Sequence, residues 1–209
     1  LKRDGSIETI FPFEREEIPE FQLALQEGIN LISVPLNPSG TLVLDGTPWR
    51  LSDLIDFIGS GATMVIRYDK AEKKFVTYMP NFPKNSPANA VVKGDEGYIV
   101  LMSEPVSVTF TGKAWDGMVS LDAGINLISV PIYPCEEWRL SDLISFIGKD
   151  ATMVIWYDKA EKKFVTYMPD FPENSPANTM VQGGEGYIVM MKAPATITFT
   201  GASWGNTTA

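Results

Sequence analysis

The chain has 209 residues, of which 17 are Lys or Arg and 26 are Asp or Glu, so its net charge at pH 7 is −9. This length suits one large domain or two small ones, and the acidic balance argues against nucleic acid or an anionic membrane surface as the main partner. No apolar run approaches the roughly 18 residues of a membrane span, and the absence of histidine excludes every His-dependent triad and metal site.

Residues 1–23 precede the repeated part of the chain, and we predict that they form an N-terminal arm or the end of a preceding domain. Because the sequence starts at Leu1 rather than at methionine, we expect a mature product or a piece of a longer chain. Cys135 is the single cysteine, which rules out an intramolecular disulfide and cysteine clusters for zinc or iron–sulfur. We interpret Cys135 as a structural residue in a tight connection.

An internal repeat dominates the rest of the sequence. GINLISVPLNP at 28–38 recurs as GINLISVPIYP at 124–134, and 49 of 67 positions match when 49–115 is aligned with 138–204 without a gap. A length difference at 39–48, where the second copy has three residues, predicts an exposed loop. The repeat therefore predicts two homologous domains, 24–116 and 117–206, joined by a short packed connection that contains Trp115.

Each copy shows the same order of predicted elements. In the first copy, LISVP predicts a buried strand that is ended by Pro35. The apolar spacing over 51–58 predicts a short helix with Ser52 as its N-cap and Gly59 as its stop. Strands follow on both sides of a charged turn at 69–74, and the last two strands are read from the sequences GDEGYIVLM and SVTFTG. The fold class is therefore α+β, with two mainly antiparallel β domains that each contain one short helix.

The glycine-rich sequences GDEGY and GGEGY do not match a phosphate-binding fingerprint, and we interpret them as turns with positive φ that precede a strand. Glu96 and Glu185 lie inside these sequences, and we expect hydrogen bonds to backbone groups to hold them. A hydrolase with paired carboxylates remains an alternative. A calcium site that uses Asp170, Glu173 and Asn174 is a further alternative, although the first copy has a lysine in place of Glu173.

Aromatic residues recur at matched positions in both copies, which favours a place in the core. Trp156 differs, because it replaces Arg67 of the first copy, and we expect it to face solvent or the contact between the copies. Trp156, Tyr157 and Tyr68 are therefore the candidate ligand-binding residues. We predict no catalytic residue, metal ligand or cofactor.

The combination of GINLISVP, WRLSDL, VIWYD and GEGYIVMM resembles a recurrent tandem accessory module of secreted and cell-surface proteins of bacteria and archaea. The resemblance implies a non-catalytic structural or adhesive module that is secreted or displayed at the cell surface. Its partners would be other domains of a longer parent chain, and a polysaccharide or another surface protein. The alternative is a carbohydrate-binding accessory module of a polysaccharide-degrading enzyme.

Overall fold

The computed structural model describes residues 18–38 and 47–206. Within these ranges the chain is rich in β-strands, has two α-helices, and pairs its strands antiparallel. These features confirm the predicted antiparallel, β-rich character. The predicted arm and the predicted loop insertion fall mostly outside the described residues.

The first half of the described chain contains six strands and one helix. These are β1 Glu20–Leu25, β2 Gly28–Ser33, α1 Leu51–Ile58, β3 Ala62–Asp69, β4 Lys74–Tyr78, β5 Gly97–Met102 and β6 Val106–Thr111. One sheet has the strand order β2-β5-β3-β4, and β1 pairs with β6 in a separate two-stranded sheet.

The second half repeats this order of elements. These are β7 Met118–Leu121, β8 Gly124–Ser129, α2 Leu140–Ile147, β9 Ala151–Asp158, β10 Lys163–Tyr167, β11 Gly186–Met191 and β12 Ala195–Thr198. The sheets are β8-β11-β9-β10 and β7-β12. The registers agree as well, because Ser33 lies opposite Gly97 in the first half and Ser129 lies opposite Gly186 in the second.

The first half begins earlier in the chain than the sequence repeat predicts. Strand β1 starts at Glu20, and Leu23 pairs with Val108 of β6, so the predicted boundary at residue 24 falls inside a strand. Leu23 and Leu25 are buried while their neighbours are exposed, which is the period of two expected of a half-buried strand. Residues 20–23 therefore pair with β6 in the two-stranded sheet of the first half.

Helix α1 spans the predicted residues, but Ser52 is not its N-cap. Arg50 occupies that position, and its backbone N–H donates to the Asp53 carboxylate at 2.8 Å. Ser52 lies inside the first turn, where its N–H donates to Oδ1 of Asn89 at 2.9 Å. Gly59 ends the helix with a φ of +103°, as predicted.

Three clusters of apolar side chains organise the two halves. Each half has its own core between its helix, its small sheet and one face of its four-stranded sheet. The third cluster lies between the halves and has Leu31, Leu127 and Tyr157 at its centre. Successive strand residues point to opposite faces, so Val100 of β5 enters the first core and Ile99 packs against the third cluster.

Candidate functional site

The two four-stranded sheets pack against each other through the faces that point away from their own cores. Around the central residues of the third cluster lie the partly buried side chains of Tyr68, Ile99 and Ile188. Both halves contribute equivalent positions, since Leu31 and Leu127 occupy the same place in β2 and β8. The contact between the halves is therefore a second apolar interior rather than a wet linker.

Backbone hydrogen bonds cross this contact at two equivalent points. The N–H of Ser33 donates to the carbonyl of Gly184 at 2.8 Å, and the N–H of Ser129 donates to the carbonyl of Asp95 at 3.2 Å. The Ser129 hydroxyl also donates to the carbonyl of Gly94. Each half thus offers the same strand end to the glycine-rich segment of the other half.

The glycine-rich segments form turns before β5 and β11, as predicted, but most of their glycines serve close approach rather than a positive φ. A Cβ on Gly97 would lie 2.7 Å from the carbonyl oxygen of Ile128, and a Cβ on Gly186 would lie 2.6 Å from that of Ile32. Of the glycines in the two segments, Gly184 is the one with a positive φ, at +74°. Glycine is needed here because the backbone of the opposite half occupies the space of a side chain.

Glu96 and Glu185 are held by lysines rather than by the backbone groups that the sequence predicted. The Glu96 carboxylate accepts a hydrogen bond from Nζ of Lys93 at 2.9 Å, and that of Glu185 accepts one from Lys159 at 2.7 Å. The hydrogen bond from Lys93 to Glu96 raises the pKa of the lysine, so the lysine stays charged at neutral pH. Both carboxylates are largely buried, which makes a charged partner necessary.

Trp156 lies on the face of β9 that points to its own core, and it is not part of the third apolar cluster between the halves. It is half-buried against the second core, and its indole N–H donates to the carbonyl of Ala177 at 3.2 Å. Arg67, which takes the same position in β3, forms an ion pair with Asp69 at 2.7 Å. This core-facing position near the end of β3 and β9 therefore accepts either an aromatic ring or a paired cation.

Tyr157 and Tyr68 are brought together in the third cluster, on the face of the sheet opposite to Trp156. Tyr157 is 6% exposed in the cluster between the halves, and Tyr68 packs against the same cluster. Each tyrosine contacts a phenylalanine of the neighbouring strand, with ring centroids 5.2 Å apart for Tyr68 and Phe75 and 5.1 Å apart for Tyr157 and Phe164. The two phenylalanines are about half exposed, so they form the outer rim of the contact.

A cleft of about 300 Å³ lies beside Trp156 and Tyr157. Gln26 of the first half borders it, and Lys159, Glu185 and Gln182 give it a polar side. The cleft is bounded by both halves, and it is the place where two of the three candidate ligand-binding residues reach a common space.

A second, polar cleft of about 580 Å³ lies at the start of α2, where Asp142, Glu173 and Asn174 meet. It holds two of the three residues of the calcium alternative, while Asp170 does not line it. The N–H of Ser141 in the first helical turn already donates to Oδ1 of Asn178 at 2.9 Å. Among the described residues, no group of three or more acidic, cysteine or histidine side chains is arranged around a common metal position.

The comparisons with known proteins were made with family models, with curated sequences and with solved structures, and none of them gave a match. In the part of the chain that the structure describes, no helix combines the length and the apolar character needed to cross a bilayer. The site must therefore be interpreted from its own geometry.

Proposed function

We propose that the chain is a non-catalytic structural or adhesive module made of two homologous domains, with the second domain at 117–206. The single observation that carries the proposal is the reciprocal contact between the halves. Equivalent strand ends, Ser33 and Ser129, donate to equivalent glycine-rich segments across an apolar interior. Such a contact fixes the orientation of two domains, which suits a spacer that presents surfaces at a defined separation.

The carboxylates support the non-catalytic interpretation. Glu96 and Glu185 are bound to lysines, and Asp53 accepts the N–H that precedes α1. Asp69 accepts the N–H of Glu72 in its turn. Each of these groups has a structural partner that accounts for its presence, whereas a general acid or base would have to exchange its proton with a substrate.

The location and the partners follow from the same proposal. The motif resemblance favours a secreted or cell-surface protein, in which this module is joined to other domains of a longer parent chain. A polysaccharide or another surface protein would be the external partner. No cofactor is needed for such a role.

A distance measurement tests the rigid-spacer proposal. Cys135 is exposed in the second half and provides one spin-label site, and Ser107→Cys on the exposed side of β6 provides the other. We expect one narrow distance distribution by pulsed electron paramagnetic resonance, because the apolar contact holds the halves together. A distribution as broad as that of two independently moving domains would contradict the proposal.

The second candidate function is carbohydrate binding by an accessory module, and the cleft beside Trp156 favours it. Aromatic rings combined with a few polar groups in a concave site are typical of small-molecule recognition. In affinity electrophoresis, a bound polysaccharide in the gel would retard the wild type, and Trp156→Ala would restore free migration without changing the charge. Phe164→Ala is the matched control, since it removes an exposed ring outside the cleft. Equal migration of wild type and Trp156→Ala on every polysaccharide would exclude this site.

A further inference from the structure

The two halves differ in how they cover the last tryptophan of each copy. In the second half, Trp204 is 7% exposed. The ring of Tyr133 lies 5.1 Å from its indole, measured between centroids. Phe21 reaches the same place, since a Cβ on Gly183 would lie 2.6 Å from the Trp204 ring and 2.8 Å from the Phe21 ring. Two aromatic side chains therefore close over this tryptophan.

Trp115 has the equivalent position in the first half. Its indole N–H donates to the carbonyl of Val34 at 2.8 Å, as that of Trp204 donates to Val130 at 2.7 Å. Its ring lies over Gly94 even more closely than the Trp204 ring lies over Gly183. The two indoles are thus anchored in the same way.

Among the residues at 18–38 and 47–206, neither of these aromatic covers has a counterpart around Trp115. Asn37 takes the place of Tyr133. The backbone of Asn37 pairs with Lys113 near the end of the first copy, and the backbone of Tyr133 pairs with Ala202 near the end of the second. Gly117 takes the place of Phe21. Phe21 pairs with Phe110 of β6, and the carbonyl of Gly117 accepts the N–H of Phe199, which is the counterpart of Phe110 in the second half. These two replacements leave a cleft of about 540 Å³ over the partly buried Trp115.

The lining of this cleft combines an aromatic floor with polar sides. Asn37, Asp95, Asp116 and Lys93 contribute an amide, two carboxylates and an ammonium group, and Met118, which is 52% exposed, extends the apolar floor. Its volume lies within the range of about 300–1,000 Å³ that is usual for small-molecule sites.

We propose that this cleft binds a neutral saccharide, with a sugar ring stacked on Trp115. A pyranose has an apolar face of C–H groups and a rim of hydroxyl groups, and the cleft offers an aromatic surface with hydrogen-bonding groups at its border. The sugar would take the position that Tyr133 and Phe21 occupy over Trp204. The site adds a ligand to the proposed non-catalytic module, and it is separate from the cleft beside Trp156.

The test exchanges the residues that lie beside the two tryptophans, Asn37 at Trp115 and Tyr133 at Trp204. Asn37→Tyr places in the first half the residue that covers Trp204 in the second, and Tyr133→Asn is the matched control away from the cleft. A panel of neutral gluco-, xylo-, manno- and galacto-oligosaccharides is screened on an array and by affinity electrophoresis. We expect at least one saccharide to bind the wild type, Tyr133→Asn and Trp156→Ala alike, and to bind Asn37→Tyr about tenfold more weakly or worse.

A second measurement uses the wild type alone, so the test does not depend on the folding of a variant. Oxidative labelling with mass spectrometry should modify Trp115 more than Trp204, and the bound saccharide should protect Trp115 but not Trp156. Binding that is unchanged in Asn37→Tyr, or protection of Trp156 in place of Trp115, would overturn the inference and would move the site to the other cleft. Failure of the whole panel to bind would overturn it as well, and would leave the rigid-spacer proposal to its own distance measurement.

Discussion

The turn between β3 and β4 places two hydrogen-bond donors on the carboxylate of Asp69. The N–H of Glu72 donates at 3.1 Å and the guanidinium of Arg67 at 2.7 Å, and these contacts lower the pKa of Asp69 below its usual value of 3.8. Because the pKa is lowered in the folded state, Asp69 stabilises the protein above about pH 3.8, and this contribution is lost as the pH falls through the lowered value. We expect Arg67→Met to raise the pKa of Asp69 in an NMR titration.

The control for this titration is Lys74→Met in the same turn. Lys74 lies opposite Asp69 in the hairpin, but its ammonium group forms an exposed ion pair with Glu72 at 3.6 Å, so the pKa of Asp69 should stay close to its wild-type position. An equal rise in both variants would mean that general charge, rather than the Arg67 contact, sets the pKa.

The buried side chains of Tyr98 and Tyr187 lead to a prediction about the stability of the protein at alkaline pH. Burial raises the pKa of Tyr98 and of Tyr187 well above the ordinary value of 10.0. Since the pKa values are raised in the folded state, the stability that these groups contribute is complete below about pH 10 and is lost as the pH rises further. A spectrophotometric titration should show that both phenols ionise together with unfolding. Reversible ionisation of all tyrosines with unchanged far-UV circular dichroism would contradict this prediction.

At the scale of elements, the start of α1 depends on a residue far away in the chain. Oδ1 of Asn89 accepts the N–H of Ser52, and the Asn89 amide donates to the Ser52 hydroxyl and to the carbonyl of Lys84. Asn89→Ala would leave the buried N–H without its acceptor, at a cost of about 1–3 kcal/mol in the free energy of unfolding. Urea denaturation measures this cost.

Asn85 lies in the same loop and is exposed, so Asn85→Ala serves as the matched control and should change the free energy of unfolding by less than about 0.5 kcal/mol. The corresponding Asn178→Ala in the second half should be destabilising as well, because Asn178 makes equivalent contacts with Ser141. A neutral effect of Asn89→Ala would show that water replaces the amide at the helix start.

The elements themselves could be predicted because their signals are local. The apolar spacing of α1, its stop at Gly59 and the charged turn after β3 are all contained in a few consecutive residues. The local sequence indicates Ser52 as the N-cap of α1. It does not show that Ser52 binds Asn89 instead, because Asn89 is 37 residues away in the sequence. In the same way, β1 was missed because its partner β6 lies at the other end of the copy.

At the scale of the whole molecule, the distance between the two sheets is set where the backbone of one half lies directly against a glycine of the other, with no side chain between them. Gly97 leaves 2.7 Å between its Cβ position and the carbonyl oxygen of Ile128, so Gly97→Ala must push the halves apart. We expect a loss of about 1–3 kcal/mol and, in calorimetry, a separation of a single unfolding transition into two. Ser107→Ala on the exposed side of β6 is the control and should leave one transition. A single unshifted transition in Gly97→Ala would mean that the contact between the halves accommodates the added methyl group without a loss in the free energy of unfolding.

The candidate sites were harder to predict than the fold, for a physical reason. Comparison of the two copies singles out Trp156, because a charged residue stands in its place in the first copy. The comparison does not indicate on which face of the sheet this residue lies. It also grouped Trp115 with the core aromatics, since Trp204 is its exact counterpart in the alignment. The difference between them comes from Asn37 and Gly117, which take the places of Tyr133 and Phe21, and Asn37 reaches the cleft beside Trp115 only after folding.

The exchange of equivalent contacts between Ser33 and Ser129 has a consequence for larger assemblies. An arrangement in which each member gives and receives the same contact is closed, as in a twofold dimer. Once two copies are paired, neither retains the surface that would capture a third. A longer polypeptide assembled from such repeats would therefore be organised as a string of doublets, and it would grow by two units at a time.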